Sequence, residues 1–102
     1  MNQVNFSKVV VSHEGESLYS FEYAAWLSET SITVVERFVA LGLLEPIESM
    51  LRSKDIARIN QIQRLRQDLG LNLVGAAMVL DMAQEIAQLR AQLKAYQSPK
   101  KG

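Results

Sequence analysis

The chain of 102 residues contains no cysteine, which excludes disulfide bonds, cysteine nucleophiles and thiolate metal sites. A single histidine, His13, supplies no cluster of the kind that holds zinc. No apolar run is long enough to span a bilayer, and the N-terminus lacks the basic start and apolar stretch of a secretion signal. We therefore expect a cytoplasmic protein with no metal and no membrane contact.

Motifs for catalysis are missing as well. The sequence has no carboxylate pair beside a plausible base, and no glycine-rich loop of the kind that cradles phosphate. We therefore predict that the protein is not an enzyme, has no catalytic residues and binds no cofactor.

Charge is balanced over the whole chain but not along it. Eleven basic and eleven acidic residues give a net charge of zero. Residues 20–51, however, contain five glutamates and one arginine, a net charge of −4, whereas residues 52–102 contain nine basic and four acidic residues, a net charge of +5. The first of these segments should therefore present an acidic surface.

Residues 31–46, SITVVERFVALGLLEP, predict a short amphipathic helix around which the chain is organised. Ser31 can cap its first turn, Gly42 suits the left-handed residue that ends a helix, and Pro46 prevents continuation. Thr33, Glu36, Arg37 and Ala40 should lie on its exposed half. At 100° per residue the apolar half, which we expect to be buried, consists of Ile32, Val34, Val35, Phe38, Val39 and Leu41.

Upstream of this helix the pattern predicts a strand over residues 4–11, a polar turn over residues 13–17 and a return strand at Leu18 and Tyr19. A second short helix, Phe21 to Ser28, should be capped by Ser20. On that helix Trp26 has two interpretations. Packing beneath the N-terminal strand is favoured, and an exposed position in a partner interface is the alternative.

Two short helices separated by three residues indicate a helix-turn-helix, and residues 47–51 have the length of a short wing. A third helix, Lys54 to Leu69, should begin after Ser53 as its cap and end at Gly70. We expect its buried band to be Ile56, Ile59, Ile62, Leu65 and Leu69.

The last helix is predicted from Leu73 to about Tyr96, with Asn72 as its cap. Heptad spacing predicts a coiled-coil seam that forms a homodimer interface through Val79, Met82, Ile86, Leu89, Leu93 and Tyr96. The expected organisation is a domain over residues 1–75, a dimerisation helix over 76–96 and a disordered tail over 97–102.

Residues 42–46, GLLEP, at the end of a helix-turn-helix resemble the winged-helix domain of the MerR family. Residues 53–59, SKDIARI, and 69–75, LGLNLVG, look like the family's third helix and its link to the fourth. Within the family, the compact length and residues 64–71, RLRQDLGL, look most like CbpM-type chaperone modulators. The resemblance implies a mainly α fold, a winged helix-turn-helix with a short N-terminal strand or hairpin and a C-terminal coiled-coil helix. It also implies a protein that binds and inhibits the J-domain of a DnaJ/CbpA-like co-chaperone.

The charges depart from the MerR pattern, which places an arginine where this chain has Glu36 and basic residues where its wing region has glutamates. DNA phosphates would repel such a surface, so DNA binding is disfavoured. We predict instead that the surface binds the basic helix of a J-domain and competes with Hsp70. The predicted partner-binding residues are Trp26, Glu29, Glu36, Arg37, Glu45 and Glu48.

Two alternatives remain open. A dimeric MerR-family transcriptional regulator would use the same helix-turn-helix to bind DNA, with the coiled coil setting the half-site spacing. An anti-activator would instead pair with another MerR-like protein through residues 79–96.

Overall fold

The computed structural model describes residues 10–97. Its elements are two strands, two short helices, a very short strand and two long helices, so the predicted class, mainly α with an N-terminal hairpin and a long C-terminal helix, is confirmed. Residues 4–9 of the predicted strand and residues 98–102 of the predicted tail lie outside the described residues. The elements are β1 (Val10–His13), β2 (Glu16–Tyr19), α1 (Phe21–Leu27), α2 (Ile32–Ala40), β3 (Leu51–Arg52), α3 (Ser53–Leu69) and α4 (Leu73–Gln97).

The three strands form one antiparallel sheet in the order β1-β2-β3. His13 pairs with Glu16, so the predicted turn over residues 13–17 was too long and the turn consists of residues 14 and 15 alone. The reason is that both turn residues adopt positive φ angles, 52° and 83°, which close a hairpin in two residues. On the other edge of β2, Leu18 pairs with Arg52.

Three of the four predicted helix caps are confirmed. The side chains of Ser20, Ser31 and Asn72 accept hydrogen bonds from backbone amides three residues downstream, at 3.1, 3.2 and 2.7 Å. The prediction for Ser53 is wrong, because Ser53 is the first residue of α3. The N-cap is Arg52, and Asp55, the third residue of the helix, completes a capping box because its carboxylate accepts a hydrogen bond from the Arg52 amide at 2.9 Å.

The core lies between α1, α2, α3 and the first two turns of α4. Its largest fully buried side chains are Phe38, Leu51, Ile59, Ile62 and Val35. From α4 it takes Leu73, Ala76, Ala77 and Leu80.

Two leucines predicted to be buried are exposed, Leu41 by 44% and Leu69 by 55%. Each stands at the C-terminal end of its helix, directly before a left-handed glycine, where the chain turns away from the core. The buried bands therefore stop one turn earlier than helical periodicity predicts.

The axes of α3 and α4 meet at a bend of 108°. Within residues 10–97 no single helix has the length and apolar composition to cross a membrane, and only this bent pair, taken together, reaches that length and composition.

Ser28, at the end of α1, is buried, and its hydroxyl has no hydrogen-bond partner among the described residues. An unpaired buried hydroxyl destabilises the folded state, so Ser28→Ala should raise the free energy of unfolding by about 1 kcal/mol. Ser31→Ala, which removes the cap of α2, should lower it by about 1 kcal/mol. Urea titrations of the two variants measure these opposite shifts. A loss of stability in Ser28→Ala would show that the hydroxyl is paired.

Candidate interaction surfaces

The orientation of α2 is set by the burial of Val35 and Phe38, neither of which is exposed at all. The opposite half of the helix faces outward, and Thr33, Glu36, Arg37 and Ala40 are all exposed there. The predicted division of this helix into a buried and a presented half is therefore confirmed, apart from Leu41.

The wing is a tight hairpin that leads directly into β3. The Ile47 amide donates to the Met50 carbonyl at 2.8 Å, and the Met50 amide donates back to the Ile47 carbonyl at 3.0 Å. Glu48 and Ser49 form its tip with φ angles of 51° and 65°. The carboxylate of Glu48 thus stands at an exposed tip.

Four predicted partner-binding glutamates, Glu29, Glu36, Glu45 and Glu48, are exposed, and none makes an ion pair within residues 10–97. Arg37 is exposed on α2 and likewise makes no ion pair in that range. We call Glu29, Glu36, Arg37, Glu45 and Glu48 the acidic surface. It has four acidic groups and one basic group that are available to a partner.

Two basic side chains beside the wing, Arg52 and Arg58, are engaged inside the fold, whereas Lys54 is exposed and makes no ion pair within the described residues. Arg52 contacts the carboxylate of Asp55 at 3.4 Å and donates to the backbone carbonyl of Glu45 at 3.3 Å. Arg58 donates to the carbonyl of Leu43 at 2.7 Å and forms a two-point pair with Asp81 at 2.7 and 3.3 Å. Arg52 therefore links the start of α3 to the segment before the wing, and Arg58 links α3 to that segment and to α4.

The pair between Arg58 and Asp81 was missed by sequence reasoning. Its partners are 23 residues apart on different helices, so no local periodicity signals it. A hydrogen bond from Arg58 lowers the pKa of the Asp81 carboxyl below its ordinary value of 3.8, and the positive charge of Arg58 acts in the same direction.

Three aromatic rings form a row from β2 to α1. The Tyr19 and Tyr23 centroids are 5.7 Å apart, and Tyr23 stacks on Trp26 at 5.8 Å with an interplanar angle of 13°. Trp26 is 59% exposed. Residues 4–9, against which it was predicted to pack, lie outside the described residues. The packing of Trp26 beneath that strand and its alternative place in a partner interface therefore both stay predictions.

A polar groove of about 450 Å³ separates the loop after α2 from α3 and α4. Of its charged side chains, Arg52, Asp55 and Arg58 bond within the fold, whereas those of Glu45 and Lys54 form no ion pair in the described range. Over residues 10–97, no three side chains among His, Asp and Glu come together in a way that could hold a metal ion.

The predicted seam on α4 is an exposed apolar stripe. Met82, Ile86, Leu89 and Leu93 are each about half exposed, and Tyr96 is 89% exposed. At 100° per residue, the stripe is centred roughly 160° around the helix from the face formed by Leu73, Ala76, Ala77 and Leu80. The seam therefore points away from the core of its own chain, and Val79, at its start, is half-buried.

Residues 27–97 match the family model described as MerR HTH family regulatory protein. A curated relative from Streptomyces coelicolor, named provisionally as the heat shock protein HspR, is 30% identical over 83 residues. That alignment covers 76% of this chain and 55% of the relative, so the chain spans little more than half of the relative's length. No solved structure matches.

The chain therefore belongs to the MerR helix-turn-helix family, as the GLLEP motif and the order of helices predicted. The family model is described as regulatory rather than enzymatic.

Because the pKa of Asp81 is lowered in the folded state, its ion pair stabilises the protein above about pH 4, and this contribution is lost as the pH falls through the folded pKa. Asp81→Asn should be slightly less stable than the wild type at pH 7, and this difference should shrink as the pH falls below 3.8. Urea titrations at a series of pH values test this, since urea does not screen charges. Glu85→Gln, one turn along α4, is the control and should be as stable as the wild type at pH 7, since Glu85 makes no ion pair within the described range. A deficit of Asp81→Asn that does not change with pH would contradict the assignment.

Proposed function

We propose that the protein is a chaperone modulator of the CbpM type, which binds the J-domain of a DnaJ/CbpA-like co-chaperone and inhibits it. The acidic surface binds the basic helix of the J-domain and so competes with Hsp70 for that helix. The observation that carries the proposal is the exposed, unpaired carboxylate of Glu36 on α2, the helix that resembles the DNA-reading helix of MerR proteins. The proposed partner implies a cytoplasmic location.

Electrostatics favour a basic protein over DNA as the partner. Affinity for DNA grows with the number of phosphates that lysines and arginines neutralise. On the acidic surface only Arg37 could neutralise one, and beside the wing Arg52 and Arg58 are held by carboxylates of the fold, which leaves Lys54 as the exposed cation there. The same unpaired glutamates would attract a lysine- and arginine-rich helix and orient it.

The similarity to a relative named as a heat shock protein supports a role connected with chaperones. That name describes the Streptomyces coelicolor protein, of which this chain covers 55%. A J-domain partner would connect a MerR-like scaffold to the Hsp70 system through protein contact.

The second candidate is a dimeric transcriptional regulator that binds DNA. Membership of a family described as regulatory helix-turn-helix proteins favours it. Such a function would need basic groups at α2 and the wing, where the chain has Glu36, Glu45 and Glu48.

We further propose that two copies of the chain associate through the seam on α4. Burying its six apolar side chains against a second seam would remove an apolar stripe that the chain's own core cannot cover. Dimerisation would also present two acidic surfaces in one particle.

Charge reversal on the acidic surface tests the chaperone proposal. Glu36→Lys and Glu48→Lys should each weaken binding to an isolated J-domain by roughly tenfold, because each replaces an attraction to the basic helix by a repulsion. Isothermal calorimetry measures the affinities, and Asp68→Lys, an exposed reversal near the end of α3, should bind as the wild type does. A wild-type protein that does not bind the J-domain but binds non-specific DNA with a steep salt dependence would favour the second candidate, the DNA-binding regulator.

Placing a charge in the seam tests the dimer. Leu89→Asp should convert the protein to a monomer, because two carboxylates would be buried without partners at the interface. Analytical ultracentrifugation gives the mass, and Gln88→Asp, exposed on the same turn but off the seam, should remain dimeric. A monomeric wild type would refute the dimer.

A further inference from the structure

The outward side of α1 presents the chain's single tryptophan. Ala24, Ala25 and Ser28 are buried and define the inner side of this helix. At 100° per residue the opposite side carries Glu22 and Trp26, which stand one turn apart and about 40° from each other around the helix axis. Trp26 is 59% exposed, and Glu22 is exposed as well. The helix therefore presents an indole and a carboxylate side by side.

A series of contacts from the body of the protein positions the indole. The hydroxyl of Ser53, at the start of α3, donates to the phenolic oxygen of Tyr19 at 3.5 Å. The ring of Tyr19 lies against that of Tyr23, which in turn stacks on the indole with an interplanar angle of 13°. Since one face of the indole rests on a ring held in this way, the plane of the indole is set before a partner arrives.

The surroundings of the indole are acidic. Glu22 and Glu29 lie four residues before and three residues after Trp26, both are exposed, and neither makes an ion pair within residues 10–97. The nearest basic residues along the sequence are His13 and Arg37. A cation that reaches the indole would therefore meet negative charge that the described ion pairs leave unneutralised.

The guanidinium group of arginine matches this combination of an aromatic face and a carboxylate. Because it is planar, it can stack flat on an indole while its N–H groups, which point outward in the same plane, bond to a neighbouring carboxylate. Tryptophan is the aromatic side chain that attracts a cation most strongly. The ammonium group of lysine is a compact, strongly hydrated charge without a flat face, so it should bind less well at such a site.

The indole adjoins the acidic surface. Glu29 belongs to that surface and lies three residues after Trp26. At the other end of the aromatic row, Tyr19 pairs with Leu51 of β3, the strand that directly follows the wing. The residues that match the family model begin at 27, after all three rings of the row. The row is therefore a feature of this chain that the family match does not include.

We propose that Trp26 and Glu22 bind an arginine of the partner's basic helix, with the guanidinium stacked on the indole and hydrogen-bonded to the carboxylate. The inference rests on the proposed function and deepens it, because it names the residue type that the surface selects. Removal of the carboxylate weakens the attraction to any cation, whereas removal of the indole weakens the binding of arginine in particular.

The first test uses the fact that Trp26 is the only tryptophan, so that fluorotryptophan introduces a single label at the site. Addition of an isolated, unlabelled J-domain should shift the fluorine NMR signal. In isothermal calorimetry, Trp26→Leu and Glu22→Gln should each weaken J-domain binding by roughly three- to tenfold. Glu85→Gln, which alters an exposed glutamate of α4 without an ion pair in the described range, is the matched control and should bind as the wild type does.

The second test separates stacking from charge. A J-domain whose basic helix carries lysine in place of each arginine keeps its charge but loses the flat cation. The wild type should bind this J-domain roughly three- to tenfold more weakly than the native one. Trp26→Leu should bind the two J-domains equally, a loss of discrimination that a purely structural role of Trp26 would not produce.

The outcomes distinguish this inference from the proposed function. A wild type that binds no J-domain overturns the proposed function and this inference with it. If the wild type binds, but the fluorine signal does not shift and both Trp26→Leu and Glu22→Gln bind equally well, this inference alone is overturned. That result is expected if Trp26 packs beneath residues 4–9 instead. Equal affinity of the wild type for the native and the lysine-substituted J-domain would likewise overturn it. Should Trp26→Leu fail to fold, the fluorine signal and Glu22→Gln still decide.

Discussion

The burial of Val35 and Phe38 in α2 is the constraint on which both the fold and its surface depend. Neither side chain has any exposed area, and each makes up part of a core shared with α3 and the start of α4. Rotating α2 would expose these side chains at a cost of roughly 1.5–3 kcal/mol each. Because that rotation is excluded, Glu36 and Arg37 must face outward, whatever partner they meet. The packing of the buried half of α2 therefore determines which charged side chains its exposed half presents.

A second constraint comes from α4, which has apolar residues on two opposite sides. Its first two turns bury Leu73, Ala76, Ala77 and Leu80 against the core, and Arg58 anchors the next turn by pairing with Asp81. Beyond that point the helix projects with its seam turned away from the body. The same packing that attaches α4 to the domain therefore leaves the seam without an intramolecular partner, which is the physical basis for expecting a second copy there.

Much of the fold could be predicted from local sequence signals. Caps at Ser20, Ser31 and Asn72 and the left-handed glycines at 42 and 70 are read directly, because each depends on residues within one turn. Features that depend on distant contacts could not be predicted. The Arg58–Asp81 pair, for example, joins residues that are 23 apart on separate helices. The positive φ angles of Glu14, Glu29 and Glu48 could not be predicted either, because a glutamate gives no sequence signal of a positive φ angle.

The helix-turn-helix scaffold by itself does not define what the protein binds, because function lies in the residues placed on it. A winged helix presents one helix and one hairpin tip, and this geometry suits a DNA groove or the helix of another protein equally well. Our proposal for the partner rests on charge. Arg52 and Arg58 beside the wing pair with Asp55 and Asp81, while the outward positions carry four glutamates against Arg37 and Lys54. Two of those glutamates occupy backbone positions that favour glycine. The excess of negative charge on the outward positions is the reason for proposing a basic protein helix, rather than a polyanion, as the partner.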